Sequence, residues 1–313
     1  MGRAGYIRKR LVLSVFVLFG VTIVIFGMVH FLPGDPATIL LGDRATTQNI
    51  AALRDQLGLN RSLPEQYWLF VSGLAQGQMG TSLTFHQPVR DMVLSRVPIS
   101  LGLSVYAMAL AAVITLLFGL LAAVNKGRWI DQVIRVGFLF ILTTPSFWFG
   151  ILLILVLSLG LKWFPVAGFG ATLQEHVWYL FLPALTLSLQ LSAVLIRNLR
   201  SQVILTSRSD FVRTARAKGL HERLVLLRHV LRNALLSTVT IFGLQFGFLV
   251  GGTLVIETVF AVPGMGQLLF TSITGRDYPV VQAITVVSAI LVIIVNLVVD
   301  LSYSFLDPRV TYE

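Results

Sequence analysis

The stretch LVLSVFVLFGVTIVIFGMVHFL, residues 11–32, holds no Asp, Glu, Lys or Arg. An α-helix rises about 1.5 Å per residue, so roughly twenty apolar residues match the ~30 Å hydrocarbon core of a bilayer. A run of this length predicts a membrane-spanning helix. Similar runs cover about 100–124, 133–160, 176–196, 236–256 and 280–300. Six spans predict an all-α polytopic membrane protein. Composition agrees: 56% of residues are hydrophobic, 12% are charged and mean hydropathy is +0.83. The charged share is about half that of a globular protein. A water-soluble enzyme is excluded.

The first run follows MGRAGYIRKR, with Arg3, Arg8, Lys9 and Arg10. A signal peptide also begins with a basic segment, but this apolar run is too long and no small-residue cleavage site follows. An uncleaved anchor is expected. Charge orients the spans. Segments 1–10, 125–135, 197–235 and the tail after 300 hold 17 of the 24 Lys/Arg. By the positive-inside rule these face the cytoplasm, and both termini lie there. The net charge of +10 thus reflects topology, and no nucleic-acid partner is expected. The expected layout is a cytoplasmic N-terminus and first span over 1–32 and an extracytoplasmic segment over 33–99. A five-helix core follows over 100–306, then a tail over 307–313. Segment 33–99 balances five basic with five acidic residues and carries Pro33, Pro36, Pro64, Pro88 and Pro98. It reads as a small packed cap, with Ala52, Leu53, Gln56 and Leu57 near one another on a helix.

Chemistry-bearing motifs are sparse. There is no cysteine, and the five histidines have no metal-ligand spacing. No GxxxxGK[ST] phosphate loop occurs. No catalytic residue, metal or cofactor is expected on this chain.

One insert stands out. RTARAKGLHERLVLLRHVLRN, residues 213–233, lies in a segment with nine basic and two acidic residues, Asp210 and Glu222. Phe211, Val212 and Ala215 can share one helical face, with Arg213 and Arg216 on another. Gly219 interrupts. Leu220, Leu224, Leu227 and Leu231 then recur at helical spacing. Two short amphipathic helices joined at a glycine are predicted. A topogenic charge cluster and a helix held by anionic lipid are the competing readings. Neither needs a small, glycine-centred turn, whereas a docking element does: Ala215, Ala217 and Gly219 let a partner approach closely.

RTARAKGL followed by LLRHVLRNALL resembles the EAA-type loop of permease subunits in ABC importers. Ser237 stands where that pattern has proline, and serine can tolerate the same bend. The first glutamate of the pattern is absent, with Arg213 nearby, as in the peptide-importer branch. FLPGDPA (31–37), LRDQLGLNRSLPEQY (53–67), QMGTSLTFHQPV (78–89), TTPSFWFGILLILVLS (143–158), FPVAGFG (164–170), IETVFAVPGMGQLL (256–269), RDYPVVQAI (276–284) and VDLSYSFLDPR (299–309) resemble the same branch, in order, almost end to end. The chain therefore resembles an inner-membrane permease of the oligopeptide, dipeptide or nickel importer family, with the type I importer fold.

The resemblance implies partners: a homologous second permease, two ATPase subunits that carry ATP and Mg, an extracytoplasmic substrate-binding protein and the bilayer of a bacterial or archaeal cell membrane. It places a coupling helix within 208–219, so that Asp210, Arg213, Thr214, Ala215, Arg216, Ala217, Lys218 and Gly219 are the candidate ATPase contacts. It implies alternating access driven by hydrolysis on other chains. Pro263, Gly264 and Gly266 suggest a tight turn, and the likeness puts that turn near an outer gate. Glu257, just before it, meets either the binding protein or a nearby basic residue, or is an end-of-helix charge in water. Asp35 is expected to cap a helix after the Pro33–Pro36 turn.

Gln190, Gln245, Gln282 and Asn296 fall within or near spans, where amides should face the bundle or a cavity. They either hold helices together or line a polar path. Asp300 reads as an interface residue at a span end. The scattered histidines favour peptide over nickel as cargo. A gradient-driven transporter would show inverted repeats and midplane charges, which are not evident. A membrane enzyme would need a polar cluster, and a scaffold leaves the basic insert unexplained. The choice among dipeptide, oligopeptide, glutathione-like compound, opine and nickel stays open.

Overall fold

The computed structural model describes residues 3–31, 46–56 and 58–306, together with Thr38. Helices α1 (Arg3–Phe31), α2 (Thr47–Gln56) and α3 (Leu63–Ala75) come first. They are followed by α4 (Val89–Val124), α5 (Trp129–Thr143) and α6 (Ser146–Leu153), the last running into a π-helical turn over Ile154–Gly160. Next come α7 (Leu173–Thr206), α8 (Asp210–Ala217) and α9 (Glu222–Leu224), then a second π-helical stretch, Val225–Leu231. The order closes with α10 (Arg232–Gly252), α11 (Leu254–Val259), α12 (Met265–Thr274) and α13 (Tyr278–Leu306). Among the described residues, five helices are long and apolar enough to cross a membrane, or six if the bent pair α5–α6 counts as one span. The expected turn at Pro33–Pro36, the Asp35 cap, Leu57 and the 307–313 tail lie outside the described residues, as do the side chains of Leu53, Gln56 and Asp300.

The third span departs from expectation. Instead of one run over 133–160, α5 and α6 meet at 110°. The cause is local. Thr144 precedes Pro145, and the proline ring disfavours helical backbone in the residue before it. Thr144 accordingly sits at φ −92°, ψ 136°, and α5 ends there.

The described residues divide into two compact units, those of 1–96 with 268–290, and those of 97–267 with 291–306. In the first unit, α3 begins with Ser62 as N-cap and Pro64 in the first turn. The Glu65 carboxylate accepts from the Ser62 N–H at 3.2 Å. Within the 33–99 segment, α3 packs on the first span. Tyr67 of α3 packs edge-on against Phe19 and Phe26 of α1, and its hydroxyl lies 2.9 Å from Thr22 Oγ1. Phe70 joins Phe26. These contacts lie roughly 8–18 Å back along α1 from Phe31, alongside the apolar run.

In the second unit, α7 is the central element. Thr172 and Glu175 form a capping box at its start, with Thr172 Oγ1 accepting from the Glu175 N–H at 3.3 Å. Fourteen of its residues are buried. Leu180, Leu182 and Leu187 pack with Leu103, Ile256 and Phe260. Ala193 and Ile196 pack with Ile134 and Phe138, and Leu199 and Val203 with Val212, Val225 and Val230. Gly119 of α4 lies against Leu199, where a Cβ would come within 3.0 Å of the leucine side chain.

Candidate functional site

The basic segment folds as two short helical pieces about a glycine. In α8 the stripe Val212 and Ala215 is fully or nearly buried, packing on Leu199 and Val203 of α7. Phe211, expected on that face, is 48% exposed. Ala215 was expected to leave room for a partner. It is instead buried against the chain's own core, so its small size serves internal packing. Thr214 donates from its hydroxyl to the Asp210 carbonyl at 2.9 Å.

The glycine ends α8 in a Schellman arrangement. The Gly219 N–H donates to the Arg216 carbonyl at 2.9 Å and the Leu220 N–H to the Ala215 carbonyl at 3.4 Å. Gly219 has φ +77°, the left-handed region that glycine adopts without strain. A Cβ there would meet nothing within 4 Å. Arg213, Ala217, Lys218 and Gly219 are exposed around this turn.

Arg216 is already engaged. Its Nε and Nη2 donate to the two Glu222 carboxylate oxygens at 3.0 and 2.6 Å, and Nη1 donates to the Ser207 carbonyl at 3.3 Å. The carboxylate bond raises the guanidinium pKa above its ordinary value. Arg216 straps the two pieces across the turn. Arg213 pairs with Asp210 at 3.4 Å, with both side chains in water.

Of the expected leucines the second piece uses one, Leu231, which packs on the core around Val225 and Val230. Leu220, Leu224 and Leu227 are exposed, while Val225 and Val230 are buried. Leu220 lies in the turn before α9, and from Val225 the backbone is π-helical over 225–231. Its i→i+5 bonding brings residues five apart onto one face, so the 3.6-residue repeat reads the wrong side.

Glu257 was expected as a water-exposed charge or a partner contact. It is fully buried. Its Oε1 accepts from the Thr253 hydroxyl at 2.8 Å, and its Oε2 accepts from the Gly266 and Gln267 N–H groups at 2.7 and 3.2 Å. The Met265 N–H donates to Ser100 Oγ at 2.8 Å. These are first-turn donors of α12, which have no partners within the helix itself. Glu257 and Ser100 supply the missing acceptors. A Cβ on Gly264 would fall on the Glu257 carboxylate and Ser100 Oγ, and one on Gly266 on the Leu254 backbone. Both glycines are therefore required by close approach, and Pro263 leads into them.

Two carboxylates escaped sequence reasoning. Asp277, fully buried, accepts from Ser82 Oγ and from the Leu83 and Thr84 N–H groups at 3.1 and 3.2 Å. It ties the 81–88 loop to the start of α13. Asp131, 1% exposed, takes a two-pronged bond from Arg200, Nε and Nη2 each at 2.7 Å. It also accepts from the Gly127 N–H at 2.9 Å. The partners are distant in sequence, so no local spacing announced either pair.

No hydrogen bond joins any two of the four amides among the described residues. Gln190 Nε2 reaches the Thr144 carbonyl, at the α5–α6 break, at a marginal 3.5 Å. Asn296 packs so closely on Gly247 that a Cβ there would collide with its amide. Gln245 and Gln282 are half-buried.

Residues 115–312 match the family model described as binding-protein-dependent transport system inner membrane component, and residues 4–104 match the N-terminal model of the same kind of component. The chain is 41% identical over 309 residues to the glutathione transport system permease protein GsiC of Escherichia coli (strain K12), covering 99% of each chain. GsiC of Shigella flexneri serotype 5b is 40% identical over the same length and coverage. Among solved structures, the MetNI methionine ABC transporter in an inward-facing conformation matches with TM-score 0.58 at 17% identity, over 70% of this chain and 98% of that one. An amino acid ABC transporter crystallised with histidines matches with TM-score 0.52 at 15% identity, over 69% and 94%. Those two likenesses concern the fold. Multiple apolar helices, the buried scaffolding around α7 and the end-to-end family match lead to one conclusion: the chain belongs to the binding-protein-dependent transport system inner membrane components, the permease subunits of ABC importers.

Proposed function

We propose that this permease forms half of a translocation path for peptides, of which glutathione-type tripeptides are one class, and that ATP hydrolysis on partner ATPases drives it by alternating access. The cargo reading rests on the relatives named for glutathione transport, identical at about 40% along their whole length. Those relatives are not named for nickel, the alternative cargo. A homologous second permease, two ATPases and an extracytoplasmic binding protein complete the assembly in this reading, with both termini in the cytoplasm.

The observation that carries the coupling role is the Gly219 turn. It projects Arg213, Ala217, Lys218 and Gly219 outward, while Val212 and Ala215 anchor the same short helix to α7. A push on the turn thereby reaches the most buried helix of the unit. With Arg216 strapped to Glu222, the projecting contacts fall to its neighbours.

The test is substrate-dependent ATP turnover in vesicles carrying the full assembly. Gly219→Leu should lower ATPase docking and uncouple turnover from transport. Intact coupling in that variant counts against the reading. The ligand retained by the cognate binding protein reports the cargo, and a retained metal ion in place of a peptide overturns the peptide assignment.

A further inference from the structure

A cavity of about 220 Å³ opens between α5 and α7. The two helices are antiparallel there, so its lining sorts by depth. Arg135, Arg197 and Arg200 stand at the end bordering the basic segment, and Phe138, Leu142 and Ala193 line the opposite end. Arg200 is committed to the buried Asp131 carboxylate. Arg135 leans on the same carboxylate at 3.5 Å and keeps half of its side chain exposed. Arg197 is exposed and has no hydrogen-bond or ion-pair partner among the described residues. Two of these three guanidinium groups share one carboxylate and the third has none, leaving an excess positive charge at the mouth of an apolar slot.

This order, cationic at the membrane edge and apolar toward its middle, is that of a phospholipid read from headgroup to tail. Seven residues of helix separate Arg200 from Ala193, about 10 Å of depth. Basic pockets between membrane helices fit anionic headgroups, and the planar guanidinium pairs with phosphate oxygens. We propose that the cavity holds one anionic phospholipid of the leaflet bordering the basic segment, its phosphodiester against Arg135 and Arg197 and an acyl chain along Phe138, Leu142 and Ala193. The site is separate from the Gly219 turn and does not depend on which cargo is carried.

Native mass spectrometry of the full chain in its assembled complex tests this, with phosphatidylglycerol, phosphatidylcholine and inorganic phosphate as probes. Phosphatidylglycerol should be retained at least about tenfold better than phosphatidylcholine. Arg135→Ala with Arg197→Ala should erase that preference, while Arg135→Lys with Arg197→Lys, which also controls for folding, should keep most of it. Ala193→Phe should expel the lipid with all three arginines in place. Equal retention of the two lipids overturns the proposal, as does an unchanged preference in the double alanine variant or after Ala193→Phe. Displacement by millimolar inorganic phosphate shows a free-anion site and overturns it too. So does cross-linking of a Leu139→Cys thiol, the sole cysteine in that variant, to the second permease, since that subunit then covers the cavity.

Discussion

The basic segment around Gly219 and the stretch from Thr253 to Asp277 both rely on acidic side chains, in opposite ways. Glu222 meets a guanidinium in water, with 65% of its side chain exposed. Glu257 and Asp277 are fully buried and are met by N–H and O–H donors. An exposed ion pair contributes about 0–1 kcal/mol, because water screens it and two long side chains lose freedom. A buried acceptor that satisfies several donors is another matter, since removing it strands each donor at about 1–3 kcal/mol. The protein thus fixes its 253–277 turns through buried bonds. It holds its projecting turn with contacts that salt and partners can reach.

Substitutions can break this contrast, and the largest effects belong to the buried side. Gly266→Val drives a branched side chain into the Leu254 backbone and the Glu257 carboxylate. It should cost about 3 kcal/mol or more and lower the thermal unfolding midpoint in detergent more than any change in the basic segment. Glu257→Leu strands the Gly266 and Gln267 N–H groups and the Thr253 hydroxyl, for a loss on the order of 3 kcal/mol in the same measurement. Asp277→Ala should cost about 2 kcal/mol and, more tellingly, speed amide exchange at Leu83 and Thr84. If exchange there is unchanged, Asp277 does not hold that loop.

On the exposed side, Gly219→Ala adds a Cβ in the left-handed region and should cost about 1 kcal/mol, with Gly219→Asn costing less. Smallest is Glu222→Gln, expected at about 0.5 kcal/mol or less and shrinking further in 1 M salt. A Glu222→Gln loss as large as that of Glu257→Leu would erase the distinction between the two regions.

The spans were legible because a long uncharged run has one physical reading. The α5–α6 bend was also written locally, in Thr144 before Pro145, but a rule that counts apolar length passes over a single proline. The Gly219 turn was legible for the same local reason, since only glycine fits that backbone cheaply. What could not be read were features set by distant partners or an altered helical period. Asp277 gains its meaning from Ser82, and Asp131 from Arg200. Leu224 and Leu227 looked like a core stripe until the π-helical stretch rotated Val225 and Val230 inward. Glu257 carried the right signal, an acid just before a glycine turn, but nothing in its neighbourhood revealed that the turn would fold back over it.

Helix α7 has a mechanical consequence. It contains 34 residues, one proline among them at position 183. At 1.5 Å per residue the whole helix measures about 51 Å, against ~30 Å of hydrocarbon. Beyond Pro183 some 35 Å run to Thr206 without another proline, ending three residues before α8. A rod of that length works as a lever: a tilt of about 10° moves its far end by roughly 6 Å, about the pitch of one helical turn.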